Sequence, residues 1–523
     1  MDTAAGIRFG DVLTLLAYFS VTLGIGVWCA LRLSTTEGYF VGNRSIPGWA
    51  IGVSMLGTAI SSVTFLAYPG SAFSTNWSKL VPGLMIVFAV ILAVYVFVPY
   101  FRRANLVSAY EYLEYRFDPW ARVYGCVVWS LYQFYRMGLI LYLLALPVRV
   151  MTGYDVYFII VVLGILITIY TVMGGLEAVI WTDVMQTIVL LMGGVLCIWI
   201  VFAKVPESTG EMLAYAWNSK KFSLADPDPT HVYAYTFNFL YETIWVLMLY
   251  GLFQNLQEFA SDQTRVQRYC AAKSDVQARN AVWLGGLGCI PVWAMFMFVG
   301  TSLWLFYQQF PERLPEGILS DAVFPHFILT ELPVGFAGFV IAAVMAAAMS
   351  SIDSSMNGTA TVVTSDLYRR FYRRTSSDRH YLNVARVVTF IAGAGAIFFA
   401  ALFAWIVENN IIQHQTVVDI AFFLIAVLSA GLGGLFYLGL FTTRTNSRGA
   451  LIGIICAVLI TIYMTVAEIS ETVPRISHRL MIIVISNVVA FVIGYFASFL
   501  FSAPPQERLH NLTVWTGEEK PAE

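Results

Sequence analysis

Charge is scarce in this sequence. Only 12% of its 523 residues are Asp, Glu, Lys or Arg, where soluble domains carry about 25%. Beside long apolar runs, that shortfall excludes an ordinary water-soluble chain. No basic patch and no zinc-type spacing occur, so nucleic acid is not expected as a partner. The six cysteines (Cys29, Cys126, Cys197, Cys270, Cys289 and Cys456) are scattered, mostly through apolar runs, and make neither a disulfide framework nor a CxxC site. The six histidines fall in apparent loops without metal-ligand pairing. No GxxxxGK[ST] motif is present, so no P-loop powers the chain. No nucleophile–base pair is recognisable either, and the chain does not read as an enzyme.

What is present is hydrophobic: 59% of the residues, with a mean hydropathy of +0.72. Apolar stretches of roughly 20 residues define membrane spans. Thirteen are expected, at 9–31, 46–73, 79–101, 119–147, 154–173, 177–203, 233–259, 278–308, 333–365, 383–408, 416–442, 447–468 and 479–502. The first is a full span without a basic start, so it reads as a helix and not a cleavable signal. "VMGGLEAV" (172–179) reads as a tight turn between two helices. With the N-terminus outside, the inner segments carry 20 Lys/Arg and the outer ones 9, with Arg136 inside a span. That bias predicts an outside N-terminus and a cytoplasmic C-terminus in a multi-pass inner-membrane protein.

Ionisable groups inside spans are costly and mark function by default. Here they are Arg136, Asp183, Glu242, Asp353 and Asp419, with Glu258 near a span end. In "AVMAAAMSSIDSSMNGTATVVTSD" (343–366), Ser350, Ser351, Asp353 and Ser354 share an arc of about 160° on one helix face. Such a face offers hard oxygen ligands and one charge, which suits a weakly held alkali cation. The same hydroxyls could instead bond the carbonyls of the preceding turn. "GVSMLGTAISSVTFLAYPG" (52–70) interrupts a span with Gly57, Ala59, Ser61, Ser62, Thr64, Pro69 and Gly70. A break there frees carbonyls to coordinate ions, although a kink or close-packing site would read alike. Asp183 could be a functional ligand or a first-turn carboxylate favoured by the helix dipole. Arg136, among the aromatics of "YQFYRMGLILYL" (132–143), could hold an anionic substrate or a protein carboxylate. Gly251, followed by Gln254 and Asn255, predicts a second interrupted span mirroring the first, as in inverted-repeat transporters.

Five motifs then agree in order: "IPGWAIGVSMLGTAISSVTFLAYPGSAF", "SAYEYLEYRFD", "YTVMGGLEAVIWTDVMQT", "SDQTRVQRY" and "AAAMSSIDSSMN". Over about residues 9–500 the chain resembles the sodium:solute symporter family, and within it the bacterial sodium-coupled sialic acid transporters. The resemblance implies an all-α, LeuT-like core of five plus five inverted-repeat helices. Residues 1–45 would hold an extra N-terminal helix, 46–203 the first repeat, 204–232 an extracellular loop and 233–442 the second repeat. Two more helices would fill 443–502, with a cytoplasmic tail at 503–523.

It further implies sodium at the backbone carbonyls of Gly57, Ile60 and Ala347 with the hydroxyls of Ser350 and Ser351. A second sodium would fall at Asp183, Ser350, Asp353 and Ser354. Asp353 departs from the Ser or Thr common in the family; a second carboxylate could tighten that site or could instead hold a proton, which leaves the number of sodium ions open. For substrate, Arg136 matches the arginine that holds the sialic acid carboxylate, and Ser61 and Thr64 match substrate-side hydroxyls. Ala59 replaces a hydroxyl residue, Gly83 replaces a glutamine, and Lys79 stands where an aromatic is expected. Gln254 and Asn255 complete the candidate substrate contacts. The expected activity is sodium-driven import of sialic acid or another sugar acid by alternating access. Rivals are a sodium symporter for a neutral sugar or short monocarboxylate, and a receptor that uses the same site without transport.

Overall fold

Inside a bilayer no water is available to backbone polar groups, so spanning segments satisfy them within helices. The computed structural model describes residues 8–516 apart from 34, 104–105, 226–234, 410–422, 424, 429–430 and 471. Among these residues the regular structure is helical, with one isolated bridge between Ile46 and Ala272. The long helices are α1 (Phe9–Ala30), the bent pair α2 (Gly48–Ala59) and α3 (Val63–Ser74), α4 (Ser78–Arg103), α5 (Pro119–Thr152) and α6 (Val156–Lys204). They continue with α7 (Ile244–Ser261), α8 (Gln263–Cys270), α9 (Asp275–Gln309), α10 (Phe336–Tyr372) and α11 (Asp378–Glu408). The last are α12 (Leu432–Phe441), α13 (Ser447–Ile469) and α14 (Met481–Leu500).

Nine helices among the described residues are long and apolar enough to cross a bilayer, ten with the bent pair. The difference from the thirteen expected has three sources. First, 154–173 and 177–203 form one helical stretch, α6, divided at Gly175, whose φ of 61° and ψ of −163° are not helical. Tyr170 and Arg268-bound Asp183, on either side of that point, both converge on the Asp353–Ser354 turn. A straight helix would set them about 20 Å apart, so "VMGGLEAV" is a turn. Second, α7 carries Gln254, Asn255, Gln257 and Glu258 and is too polar for the hydropathy test. Third, Asp419 and much of 416–442 lie outside the described residues. Helices also occur off the spans, at Thr209–Asn218 and Ser320–Glu331. Two histidines expected in loops, His326 and His380, stand on helices.

One expectation is corrected. The seventh span is not interrupted at Gly251: α7 runs unbroken through it and ends at Asp262, where extended backbone (φ −77°, ψ 116°) separates it from α8. Gly251 has a packing role instead. A Cβ there would lie 2.3 Å from Cα and O of Pro82, so the missing side chain lets α7 touch the backbone of α4. The same device brings α6 to α10, where a Cβ on Gly193 would meet that of Ala343 at 2.6 Å. The alanine run Ala342–Ala348 is buried at this contact.

Candidate functional site

The first broken span builds the site. Helix α2 ends at Ala59, Ile60 is extended (φ −106°, ψ 100°), and α3 leaves at an angle of 59°. The break leaves carbonyls of the last turn without helical donors, and side chains of neighbouring helices take them. Ser350 Oγ donates to the Gly57 carbonyl at 3.1 Å, and Ser351 Oγ to that of Thr58 at 3.1 Å. Both hydroxyls also reach the Ala347 carbonyl, at 3.2 and 3.4 Å. Gly57, Ala347, Ser350 and Ser351 therefore meet at one buried point, the junction of α2 and α10. Ile60 adjoins it through its amide, which donates to Gly57 O at 3.1 Å. Thr58, which the sequence did not single out, supplies a carbonyl there. The alternative reading of the hydroxyls is realised in the next turn, where Ser354 and Ser355 bond the carbonyls of Ser350 and Ser351 at 2.6 and 2.8 Å.

One turn deeper, Asp183 is fully buried and is not a first-turn carboxylate, since it lies two turns beyond Gly175. Its Oδ2 accepts from Ser54 Oγ at 2.6 Å, from Thr58 Oγ1 at 3.3 Å and from Arg268 Nη2 at 2.9 Å. The same Nη2 donates to Thr58 Oγ1 at 2.8 Å and to Ser354 Oγ. Asp183 Oδ1 has no hydrogen-bond partner among the described residues. Asp353, also fully buried, accepts from Tyr170 Oη at 3.1 Å and Ser354 Oγ at 3.3 Å. No cationic side chain among the described residues is within ion-pair distance of it. Asp183, Ser350, Asp353 and Ser354 are thus brought together, with Arg268 already among them. Arg268 lies inside the quoted "SDQTRVQRY" motif, but no spacing signalled that its guanidinium reaches Asp183, 85 residues away.

Above this junction a cavity of about 140 Å³ opens. Ala59, Ser61, Thr64, Gly83, Arg136, Gln254 and Asn255 all line it. Arg136 Nη2 donates to the Thr58 carbonyl at 3.0 Å, and no carboxylate among the described residues pairs with it. Ser62 ties the broken segment to α5 by donating to Ile140 O at 3.0 Å. Asn255 spends its amide donors on the carbonyls of Pro82 and Gly251, at 3.1 and 2.7 Å, which leaves its oxygen free to accept. Lys79 is not among the lining residues. Its Nζ pairs with Glu242 Oε1 at 2.7 Å, just before α7 begins, which also places Glu242 outside the helix. Trp293 lines the wall at Gly83, where a Cβ would lie 2.5 Å from the indole ring. Tyr135, one of the aromatics beside Arg136 in "YQFYRMGLILYL", also lines it, its hydroxyl without a partner among the described residues, whereas Trp293 was marked by no sequence pattern.

The model of the sodium:solute symporter family matches residues 39–457. The sodium/sialic acid symporter SiaT of Proteus mirabilis is 35% identical over 453 residues, 86% of this chain and 88% of that one. The sodium/sialic acid symporter NanT of Aliivibrio fischeri is 30% identical over 483 residues, 92% of each chain. A solved structure of a Na⁺-coupled sialic acid symporter, substrate-bound and outward-open, superposes with a TM-score of 0.85 at 32% identity, covering 95% of this chain and 99% of that one. The fold is LeuT-like.

Proposed function

Because the chain belongs to the sodium:solute symporter family, and is a sodium-coupled multi-pass membrane transporter and not an enzyme, we propose that it imports sialic acid or a related sugar acid through the cavity at Arg136. One observation carries this reading. Arg136 faces the cavity with no protein carboxylate paired to it among the described residues, and its one hydrogen bond is to a backbone carbonyl. A guanidinium held ready in this way can take a carboxylate bidentately. A carrier of neutral sugars with a structural arginine would have Arg136 neutralised by an acid.

Sodium would bind where the carbonyls of Gly57 and Ala347 meet the hydroxyls of Ser350 and Ser351. There it would replace the hydrogen bonds that now cross from α10 to α2, with Ile60 closing the break. Its effect reaches the substrate through Thr58. The Thr58 carbonyl accepts from both Ser351 and Arg136, so a change at the sodium site alters what holds Arg136, and the reverse. Ser61 and Thr64 on the broken segment, and Gln254 and Asn255 on α7, would contact the rest of the substrate. Asp183, Ser350, Asp353 and Ser354 would hold a second sodium. In this reading thirteen helices cross the inner membrane with the N-terminus outside and the C-terminus cytoplasmic. The two inverted repeats at 46–203 and 233–442 rock about the site, and the sodium gradient drives uptake. An additional helix at the start, two at 443–502 and a tail at 503–523 flank them, with the 204–232 loop outside.

The test is sodium-gradient uptake into proteoliposomes of N-acetylneuraminate, hexuronates, neutral hexoses and proline. N-acetylneuraminate or a hexuronate is expected to accumulate, and neutral hexoses are not. Arg136→Lys, which keeps the charge but loses the planar fork, is expected to raise the KM for the transported acid by tenfold or more. An unchanged KM would sink the carboxylate anchor.

A further inference from the structure

The cavity continues past Arg136 along one face of α7. Gln254 and Glu258 stand one turn, about 6 Å, apart, and Asp262 follows at the end of the helix as its C-terminal cap. At the far end Arg265, on α8, enters the same cavity. Its Nη2 donates to Glu258 Oε2 at 2.6 Å, and its guanidinium carbon lies 4.6 Å from the Phe259 ring centre. Its Nη1 is buried and has no hydrogen-bond acceptor among the described residues. The residue as a whole is 8% exposed.

A buried guanidinium that leaves one donor unmatched is costly. Here the unmatched donor belongs to a residue that lines a cavity shared with Arg136. Glu258, the partner, remains partly exposed, at 27% of its side chain. Asp262, the other acid nearby, is occupied: Trp129 Nε1 donates to it at 3.0 Å, Gln133 Nε2 at 3.2 Å and the Thr264 amide at 2.8 Å. Neither acid among the described residues gives Arg265 Nη1 an acceptor, so an anion that enters the cavity can supply one.

We propose that Arg265, which lines the same cavity as Arg136, is a second carboxylate-binding contact that receives the substrate's carboxylate as it leaves. Glu258 holds the guanidinium in place between passages and lowers its net attraction, so the anion is passed on and not trapped. The proposal rests on the reading of Arg136 as the carboxylate anchor, and it places the exit path along α7 toward the α7–α8 junction.

The experiment uses the full-length protein with N-acetylneuraminate as probe. Glu258→Gln with Arg265→Gln removes both charges together and avoids stranding either. Equilibrium Kd is measured by calorimetry in saturating NaCl, and efflux KM from preloaded proteoliposomes into sodium-free buffer. The double variant is expected to raise efflux KM at least fivefold while Kd, set at Arg136, rises less than twofold. Arg265→Lys alone, which is milder should the double variant fail to fold, is expected to raise efflux KM about threefold. Parallel rises in Kd and efflux KM, or an unchanged efflux KM in either variant, overturn the proposal and leave the Arg136 reading standing. A wild-type protein that neither binds nor carries the probe overturns both.

Discussion

At the scale of single residues, the site is organised by sharing. Thr58 gives its carbonyl to Arg136 and Ser351 and its hydroxyl to Arg268 and Asp183, so one residue links the cavity arginine, the α2–α10 junction and the buried ion pair. The Asp183–Arg268 pair beneath it is almost wholly enclosed, with side chains 0% and 2% exposed. Removing one partner of such a pair costs about 3–5 kcal/mol, because the other is left charged in a dry place. Asp183→Asn and Arg268→Met are each expected to destabilise the detergent-solubilised protein by about that amount. The double variant should lose clearly less than the sum, since the two share one interaction. Thermal unfolding of the four proteins measures this, and strict additivity would mean that the pair is not a unit. Arg268 also shows a limit of reading side chains from sequence. Serines, aspartates and a conspicuous glycine break announce themselves by being out of place in apolar runs. An arginine in a polar loop motif does not, and only the fold carries it 85 positions back to Asp183.

At the scale of elements, much of the architecture was legible because a bilayer forces long apolar helices. The edges expected at 9–31, 119–147, 383–408 and 447–468 fall within a few residues of α1, α5, α11 and α13. The break after Gly57 was legible because small and hydroxyl residues cluster there. Gly251 misled, since glycine marks close packing as readily as a break, and only the neighbour decides which. Gly83 is the more informative case. The structure fills the space of the glutamine expected there with the Trp293 ring, 2.5 Å from a built Cβ. Exchange of a polar side chain on α4 for an aromatic wall from α9 changes how the non-carboxylate end of a substrate is held. Gly83→Gln alone is expected to abolish binding by forcing the indole into the cavity. Gly83→Gln with Trp293→Ala should recover affinity for N-acetylneuraminate to within about tenfold of the wild type, corresponding to about 1.4 kcal/mol. Calorimetric titration distinguishes these outcomes, and tight binding by the single variant would show that Trp293 is not a wall of the substrate site.

At the scale of the whole molecule, charge balance sets how the membrane potential enters. Asp183 is matched by Arg268, whereas Asp353 is buried with hydroxyl partners and no cation within ion-pair distance among the described residues. A buried carboxylate without a counter-ion is met by a mobile cation or by a proton, and a sodium ion there together with the α2–α10 site predicts two sodium ions per transported sugar-acid anion. One net positive charge then moves inward in each cycle. A single charge crossing a potential of 100 mV gains about 2.3 kcal/mol, which is roughly fiftyfold in an accumulation ratio. Proteoliposomes held at 100 mV, inside negative, with a potassium gradient and valinomycin should therefore accumulate the acid about fiftyfold further than at zero potential. The ratio of labelled sodium to labelled acid in the initial flux should be two. Asp353→Ala removes the unmatched charge together with its oxygen ligands. It should bring that ratio towards one and flatten the response to potential, while sodium-dependent uptake continues through Ser350 and Ser351. Wild-type uptake that ignores the potential would show that Asp353 recruits no second sodium and that its charge is met by another route.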